Sequence, residues 1–396
     1  MKTRASLRPL YATALLSLAT ASCGPDATPA DFAGMELTSS QVARSPTNVY
    51  ADDALAASLG QKLFFDRGLS SDGTVACVNC HDPAHGFSDP KPRSEGVRGQ
   101  TGDRHSMPVT AAVMHPYLLW DGKADSAWSQ PLKALENPKE MDLSRTEVAL
   151  RVASVYRDEY EAIYGSLPDL SGAPPRALPG SPAWDQMPAA MQDGVQRVFA
   201  NVGKSLEAYE RRLLCTDTRF DRWMRGEVEF TRAERSGADT FRGEGCTRCH
   251  SGPSFSDGEF HDIGLPSPDR GRSLGAPALL SDVFNGAGPY SDDPAAGQAK
   301  LSLVRSETAQ EGAFRTASLR GVAQRTFFGH AAHQETLRGF VLDVYRNRRR
   351  GRAATVGSLD PKLDDVNIND DEVDDLIAFL HTLDCPAPPA ELTTAP

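Results

Sequence analysis

The stretch Cys77-Val78-Asn79-Cys80-His81 constrains this chain more than any other, and it has a second copy, Cys246-Thr247-Arg248-Cys249-His250. In a Cys-x-x-Cys-His pattern, two thiols can add to the vinyl groups of a haem, and the adjacent imidazole can bind its iron. We therefore predict two covalently bound haem c groups. The first would be held by Cys77, Cys80 and His81, and the second by Cys246, Cys249 and His250.

Two simpler interpretations of these motifs stay open at the level of sequence. Each cysteine pair could form a disulfide bond, or it could supply half of a zinc site. However, a thioredoxin-type Cys-x-x-Cys pair needs no histidine after it, and a zinc site needs further Cys or His pairs close by. The haem interpretation explains the histidine in both motifs.

The composition narrows the class of protein. The chain has 396 residues, 40% of them apolar and 24% charged, which is typical of a water-soluble globular protein with two or three core-forming units. Two separated haem motifs suggest two haem domains. The formal net charge of −11 argues against a nucleic-acid partner and favours a redox partner with a basic docking face.

The amino-terminal segment reads as an export signal. Residues 1–22 contain a basic start and a short apolar run, Leu10 to Ala21, that is too short to span a bilayer as a mature helix. Small residues before Cys23 resemble a bacterial lipoprotein signal, with Cys23 as the lipidated first residue. The alternative is ordinary cleavage near Ala21. In either case we expect a periplasmic protein, with a membrane link only through a lipid at Cys23.

Two cysteines are left over by the haem motifs and the signal, namely Cys215 and Cys385. In an oxidising compartment, this pair suggests one disulfide bond that joins the end of a central helix to the end of the last helix. The alternative is two separate buried thiols.

Apolar periodicity and capping boxes predict a mostly α-helical fold with long loops. The two separated haem motifs suggest that it consists of two cytochrome-c-like haem domains. Strand patterns are scarce, and we expect residues 251–313 to be dominated by loops. We expect five segments: a signal peptide (1–22), a flexible tether (23–50), an amino-terminal haem domain (51–188), a carboxyl-terminal haem domain (189–385) and a tail (386–396).

Several further stretches resemble one known family, the bacterial di-haem cytochrome c peroxidases and the related MauG enzymes. The matching stretches are Leu59-Gly60-Gln61-Lys62-Leu63-Phe64-Phe65-Asp66, His81-Asp82-Pro83, Trp120-Asp121-Gly122-Lys123-Ala124, Asn137-Pro138-Lys139-Glu140-Met141, Phe220-Asp221-Arg222, Asp269-Arg270-Gly271-Arg272, Ser318-Leu319-Arg320 and Ala378-Phe379-Leu380. The resemblance implies two haem domains that face each other. The first haem would react with peroxide, and the second would handle electrons.

The resemblance also implies roles for individual residues. Gln130 and Glu140 fall where the family keeps a distal amide and a distal carboxyl, which would orient peroxide and move a proton during O–O cleavage. Taken alone, Glu140 would be a solvated loop acid. Trp120 matches the family's tryptophan between the haems, where it would pass electrons or simply fill the interface.

Two departures from the family concern iron ligands. In many family peroxidases, a histidine binds the first iron and blocks access to it. The corresponding residue here is Val97, which cannot bind iron, so we expect the first iron to be open, as in MauG enzymes. Family peroxidases use a methionine on the second iron, but this chain has no methionine after Met224. Tyr345 is the first candidate for that position, although it lies one residue off the family register. His330 and His333 compete with it.

A third departure concerns calcium, which the family binds between its domains through an asparagine side chain and loop carbonyls. His105 occupies the position that corresponds to the asparagine. The loop that supplies the carbonyl ligands in the family has the sequence Arg325-Thr326-Phe327 here. Calcium is therefore possible but doubtful in this chain.

The leading hypothesis is an oxidoreductase that reacts with hydrogen peroxide at the first haem. Its electrons would come from a small redox protein, as in a peroxidase, or from a side chain of a protein substrate, as in MauG. The alternative is a lipid-anchored di-haem cytochrome that only transfers electrons.

Overall fold

A computed structural model describes residues 27–305, 310–346, 356–363 and 366–396, without the side chains of residues 345 and 346. These residues form mainly helices with long loops, and the one sheet among them has two short antiparallel strands, which confirms the mostly α fold. The helices are α1 (Ala54–Phe65), α2 (Gln130–Glu136), α3 (Arg145–Val155), α4 (Arg157–Tyr164), α5 (Pro182–Asp185), α6 (Ala189–Glu210), α7 (Arg219–Met224), α8 (Arg232–Gly243), α9 (Arg272–Leu280), α10 (Pro294–Leu301), α11 (Leu337–Arg346) and α12 (Asp370–His381). The strands are β1 (Phe260–His261) and β2 (Phe314–Arg315).

Side-chain caps mark the helix starts that the sequence predicted. Ser144, Thr231 and Asn369 each accept a hydrogen bond from the main chain three residues later, at the starts of α3, α8 and α12. The region 251–313 was expected to be loop, yet it contains α9 and α10. Both are short, and α9 contains Pro277, so neither shows a sustained apolar period.

Two hydrophobic cores are built in the same way, each around a pair of crossing helices. In the first core α1 lies against α6, and a Cβ on Gly60 would be 1.9 Å from the carbonyl oxygen of Ser205. In the second core α8 lies against α12, and a Cβ on Gly237 would be 1.9 Å from the carbonyl oxygen of Asp375. Glycine is required at both crossings because the backbones touch. Each helix pair supports one Cys-x-x-Cys-His turn.

The boundary between the two halves differs from the expected position after residue 188. Helix α6 lies in the first core through Val195, Val198 and Phe199, so the first half extends beyond Glu210. Phe284 and Tyr290, from the second half of the sequence, also lie in the first core. The proline-containing loop of residues 166–188 before α6 suggested a boundary there. However, the helix that buries the apolar face of α6 is α1, which is far away in sequence.

The chain ends cross over between the halves, which corrects the expected flexible tether. Phe32 and Met35 are buried in the second core, and the main-chain N–H of Leu37 donates to Asp221 at 2.9 Å. In the tail, Leu392 is buried in the first core, where its carbonyl accepts a hydrogen bond from the Tyr209 hydroxyl. Residues 1–26, including the expected signal peptide and Cys23, lie outside the described residues.

The leftover cysteines Cys215 and Cys385 form a disulfide bond, as predicted, with their Cα atoms 5.0 Å apart. It closes a loop of 170 residues and joins the segment after α6 to the segment after α12. Among the helices in the described ranges, we find none with the length and apolar character needed to cross a membrane.

Candidate functional site

Each Cys-x-x-Cys-His motif begins with a single helical turn, Cys77–Asn79 in the first half and Cys246–Arg248 in the second. None of the four motif thiols is part of a disulfide bond, so neither pair forms the disulfide that the sequence left open. Burial raises the pKa of Cys77 to about 12 and the pKa of Cys80 to about 11. Both thiols of the first motif are therefore protonated near neutral pH when no metal is bound.

Both motif histidines are oriented in the same way. The Nδ1–H of His81 donates to the carbonyl of Phe87 at 3.3 Å, and the Nδ1–H of His250 donates to the carbonyl of Phe255 at 2.9 Å. Phe87 and Phe255 have φ of 57° and 52°, an uncommon conformation that turns each carbonyl toward its histidine. Burial lowers the pKa of both histidines and keeps them neutral, which leaves Nε2 free to bind a metal.

A cavity lies beside each motif. The first has a volume of about 490 Å³, and the second has a volume of about 190 Å³. The first brings together the predicted residues Cys77, Cys80, His81, Trp120, Gln130 and Glu140. The second is lined by Cys246, Cys249 and His250 and by apolar side chains that include Phe340, Val341, Val344, Leu376 and Leu380. Two thiols, an oriented imidazole and an apolar slot are what a covalent haem requires, so the residues present fit one haem in each half.

Glu140 is held in the first cavity by its own loop and by a neighbouring one. The side-chain N–H of Asn137 donates to its Oε1 at 2.7 Å, and the main-chain N–H of Val97 donates to its carbonyl at 2.8 Å. Burial raises the pKa of the Glu140 carboxyl, while Lys123 partly opposes this shift. Val97 itself is fully buried and lies outside the lining of the first cavity.

One wall is shared by the two cavities. It contains His105, Met107, Trp120, Arg315 and Arg325, which line both. The indole Nε1–H of Trp120 donates to the carbonyl of His105 at 2.8 Å, so the ring is fixed at this wall. The wall therefore brings the predicted electron-transfer residue into contact with both haem cavities.

The candidates for the sixth ligand in the second half occupy different places. The ring of His330 lines the second cavity, stacks on Phe314 with centroids 3.6 Å apart, and has a buried Nε2 without a hydrogen bond. His333 lies outside that lining, with Nε2 3.2 Å from the carbonyl of Pro266. Tyr345 belongs to α11, but its side chain lies outside the described residues.

Sequence reasoning missed several cavity residues. Arg315 and His115 line the first cavity, and Glu210 reaches it from the end of α6. No local pattern marks these residues, because each is brought to the cavity by a contact between distant segments. For Arg325 alone, the sequence offered one indication of a functional position, because this residue lies in a stretch that departs from the family pattern.

Comparisons with known proteins agree with this geometry. Residues 54–229 match the family model described as di-haem cytochrome c peroxidase. The chain is 30% identical to the methylamine utilization protein MauG of Paracoccus denitrificans over 384 residues, covering 84% of this chain and 89% of that protein. It is 26% identical to cytochrome c551 peroxidase of Pseudomonas aeruginosa, covering 85% of this chain and 81% of that protein. Its fold is similar to the crystal structure of the diheme peroxidase BthA from Burkholderia thailandensis, with a TM-score of 0.64, 20% identity, and coverage of 91% and 92% of the two chains.

Proposed function

Since this chain belongs to the di-haem cytochrome c peroxidase and MauG family of oxidoreductases, we propose that it uses hydrogen peroxide as its oxidant in the cavity beside His81. The observation that carries this proposal is the shared lining of that cavity. His81 lies there together with an amide, Gln130, and a buried carboxyl, Glu140. A bound haem would supply an iron that takes peroxide and stores its oxidising equivalents.

Several side chains of the first cavity would each have a separate role in O–O cleavage. His81 donates its Nδ1 proton to Phe87 and so presents a neutral imidazole to the iron. Glu140 would move a proton from the inner to the outer peroxide oxygen, because burial raises the pKa of its carboxyl and so makes it a better proton acceptor. Asn137 fixes that carboxyl, and the Gln130 amide orients the peroxide.

The first iron position is proposed to stay open to peroxide. Two further histidines, His105 and His115, line the first cavity, and His115 does not line the second. His105 lines the second cavity as well, and the pKa of His115 is lowered by burial and by the neighbouring charges of Arg315 and Arg325, which line both. Gln130 and Glu140 line the first cavity alone. We propose that the open side of the first iron faces Gln130 and Glu140 and that neither histidine binds it, which the high-spin ferric signal described below tests.

The second haem would receive oxidising equivalents through Trp120 and pass electrons from a donor. We propose Tyr345 as the sixth ligand there. It directly follows Val344, which lines the second cavity from α11. His330 is the other candidate, because its ring also lines that cavity. The variants Tyr345→Phe and His330→Ala test these two candidates. The substitution that changes the low-spin haem spectrum identifies the ligand.

Resting-state electron paramagnetic resonance tests the proposed function directly. We expect a high-spin ferric signal from the first haem that disappears with cyanide, together with one low-spin haem. Two low-spin haems without a high-spin signal would favour the non-catalytic electron-transfer cytochrome instead. Steady-state oxidation of reduced cytochrome c by peroxide then identifies the donor: rapid turnover indicates a small redox protein, and negligible turnover indicates oxidation of a protein substrate.

We also propose that the chain is exported to the periplasm and anchored by a lipid at Cys23. Covalent haem attachment and the Cys215–Cys385 disulfide both suit an oxidising, extracytoplasmic compartment. Mass spectrometry of the amino-terminal peptide tests this proposal. A diacylglyceryl group on Cys23 is expected, and an unmodified peptide that starts near residue 22 would indicate ordinary cleavage.

A further inference from the structure

Two guanidinium groups lie on the wall shared by the haem cavities without a carboxylate partner. Arg315 is 5% exposed, and Arg325 is half-buried. Both line both cavities. Within the described ranges, no acidic side chain makes an ion pair with either one. Arg315 donates to the carbonyl of Thr316 at 3.1 Å and to the sulfur of Met107 at 3.2 Å.

Arg325 also lacks hydrogen-bond partners for part of its guanidinium group. One of its terminal nitrogens donates to the carbonyl of Ser318 at 2.7 Å, whereas its Nε is buried without a hydrogen bond. Burial lowers the pKa of Arg315 to about 9 and the pKa of Arg325 to about 10. Two positive charges are thus held close together in a poorly hydrated place, which is unfavourable unless anions join them.

Two other buried or half-buried arginines, Arg104 and Arg320, form ion pairs with carboxylates. Arg104 pairs with Asp121 at 2.6 Å and with Asp269 at 2.7 Å, and it bridges the two halves. The fully buried Arg320 pairs with Asp221 at 2.8 Å. Arg315 and Arg325 therefore differ from Arg104 and Arg320 in having no carboxylate partner. They differ from the buried Arg272, which donates to the carbonyls of Asp121 and Gly122, in lining both cavities.

A haem carries two propionate carboxylates, and a guanidinium can bind a carboxylate through two parallel hydrogen bonds. We propose that Arg315 and Arg325 bind the haem propionates at the shared wall, so that the positive charge between the haems comes from the chain and not from a divalent cation. This inference rests on the two-haem occupancy proposed above.

The surroundings of Arg325 exclude a calcium site of the expected kind. The places expected for calcium ligands hold His105, Arg325 and Phe327, and the rings of His105 and Phe327 lie 5.9 Å apart. A divalent cation beside a guanidinium would be repelled, and the asparagine side chain expected as a ligand is replaced here by His105. These residues fit an anion such as a propionate and do not fit calcium.

The first test measures haem reduction potentials in the full holoprotein. A pyridine haemochrome assay first counts the haems, and fewer than two per chain would overturn the proposed function itself. With two haems bound, Arg325→Gln removes a positive charge, which destabilises the reduced iron. We expect the reduction equilibrium of at least one haem to fall tenfold, which is 59 mV for a one-electron couple. Arg325→Lys should restore most of the shift.

The control is Arg197→Gln, which removes an exposed arginine on α6 that lines neither cavity and forms an ion pair with Asp193, and it should shift neither potential. Unchanged potentials in Arg325→Gln, with both haems bound, would overturn the inference while leaving the proposed function intact.

The second test uses the unaltered protein and so does not depend on a variant that folds. After dialysis against a calcium chelator, we expect no bound calcium by elemental analysis and unchanged haem potentials and resonance spectra. One equivalent of tightly held calcium, or potentials that shift on chelation and return with added calcium, would assign the charge to a metal ion and overturn the inference.

Discussion

The indole N–H of Trp120 donates a 2.8 Å hydrogen bond to the carbonyl of His105, on the wall that both cavities share. The His105 main chain is itself fixed from the other side, since its N–H donates to the carbonyl of His330 at 2.9 Å. The indole is therefore held between the halves of the molecule by main-chain contacts, which suits a fixed relay for electrons.

Replacing this relay should slow electron transfer and leave folding intact. In Trp120→Phe we expect peroxide-driven oxidation of the second haem to slow by on the order of tenfold or more, with both haems retained. Stopped-flow spectroscopy of the half-reduced protein measures this rate. The matched control is Trp184→Phe, which changes a tryptophan in the first core, outside both cavities. Equal rates in the two variants would assign Trp120 a packing role only.

Removing the acid of the first cavity should affect chemistry more than binding. Glu140→Gln keeps the shape of the side chain but cannot transfer a proton, so the rate of peroxide consumption should fall about 100- to 10,000-fold. Single-turnover kinetics with one equivalent of peroxide gives this rate. Glu95→Gln serves as the control, because Glu95 is an exposed residue paired with Lys91. A loss below threefold in Glu140→Gln would contradict the assigned role.

Glu210 should make the stability of the protein depend on pH. Burial raises its pKa from 4.5 to about 8, with the charge of Glu207 adding to the shift, and its Oε2 has no hydrogen bond. Between these pH values the folded state binds more protons than the unfolded state, so the free energy of unfolding falls as pH rises. Glu210→Gln removes this penalty and should stabilise the protein at pH 8.5 by on the order of 2 kcal/mol.

Urea titrations of the Glu210 variant at pH 5 and pH 8.5 measure this effect. The stabilisation should be small at pH 5, where Glu210 is protonated in the folded protein. Glu229→Gln changes a carboxyl that is 91% exposed and should leave the pH dependence unaltered. An identical pH slope with and without Glu210 would refute the prediction.

The disulfide should contribute strongly to stability because of the long loop that it closes. Replacing both Cys215 and Cys385 by serine should lower the free energy of unfolding by roughly 2–5 kcal/mol. Guanidinium chloride titrations of both forms, each with its haems attached, provide the measurement. Treating the unaltered protein with a reductant should reproduce the loss, and no loss in either experiment would show that the bond is not formed.

The crossing of α1 and α6 should be intolerant of a single methyl group. A Cβ on Gly60 would meet the Ser205 carbonyl, so Gly60→Ala forces the two backbones apart and should destabilise the protein by about 1–3 kcal/mol. Gly243→Ala is the matched control, because a Cβ there meets nothing within 4 Å at the end of α8. Comparable melting temperatures of the two variants would argue against the backbone contact.

The sequence predicted the local parts of this molecule well. The haem motifs, the capped helices α3, α8 and α12, and the pairing of Cys215 with Cys385 each depend on a pattern or a process of elimination within the sequence. The placement of α6 in the first core could not be predicted in this way, since α6 and its partner α1 are separated by more than a hundred residues. Arg315 and Arg325 were missed as a pair because burial and missing partners are properties of the assembled wall.

Each end of the described chain is packed into the half of the molecule that is farther from it in sequence, so the two ends hold the halves together. Phe32, near the start of the described chain, is embedded in the half that contains the second haem motif, and Leu392, near its finish, is embedded in the half that contains the first. Tension applied to either terminus is thus borne by the opposite half. Proteolytic removal of either end should therefore destabilise the half that is remote from it in sequence before the half that is adjacent to it.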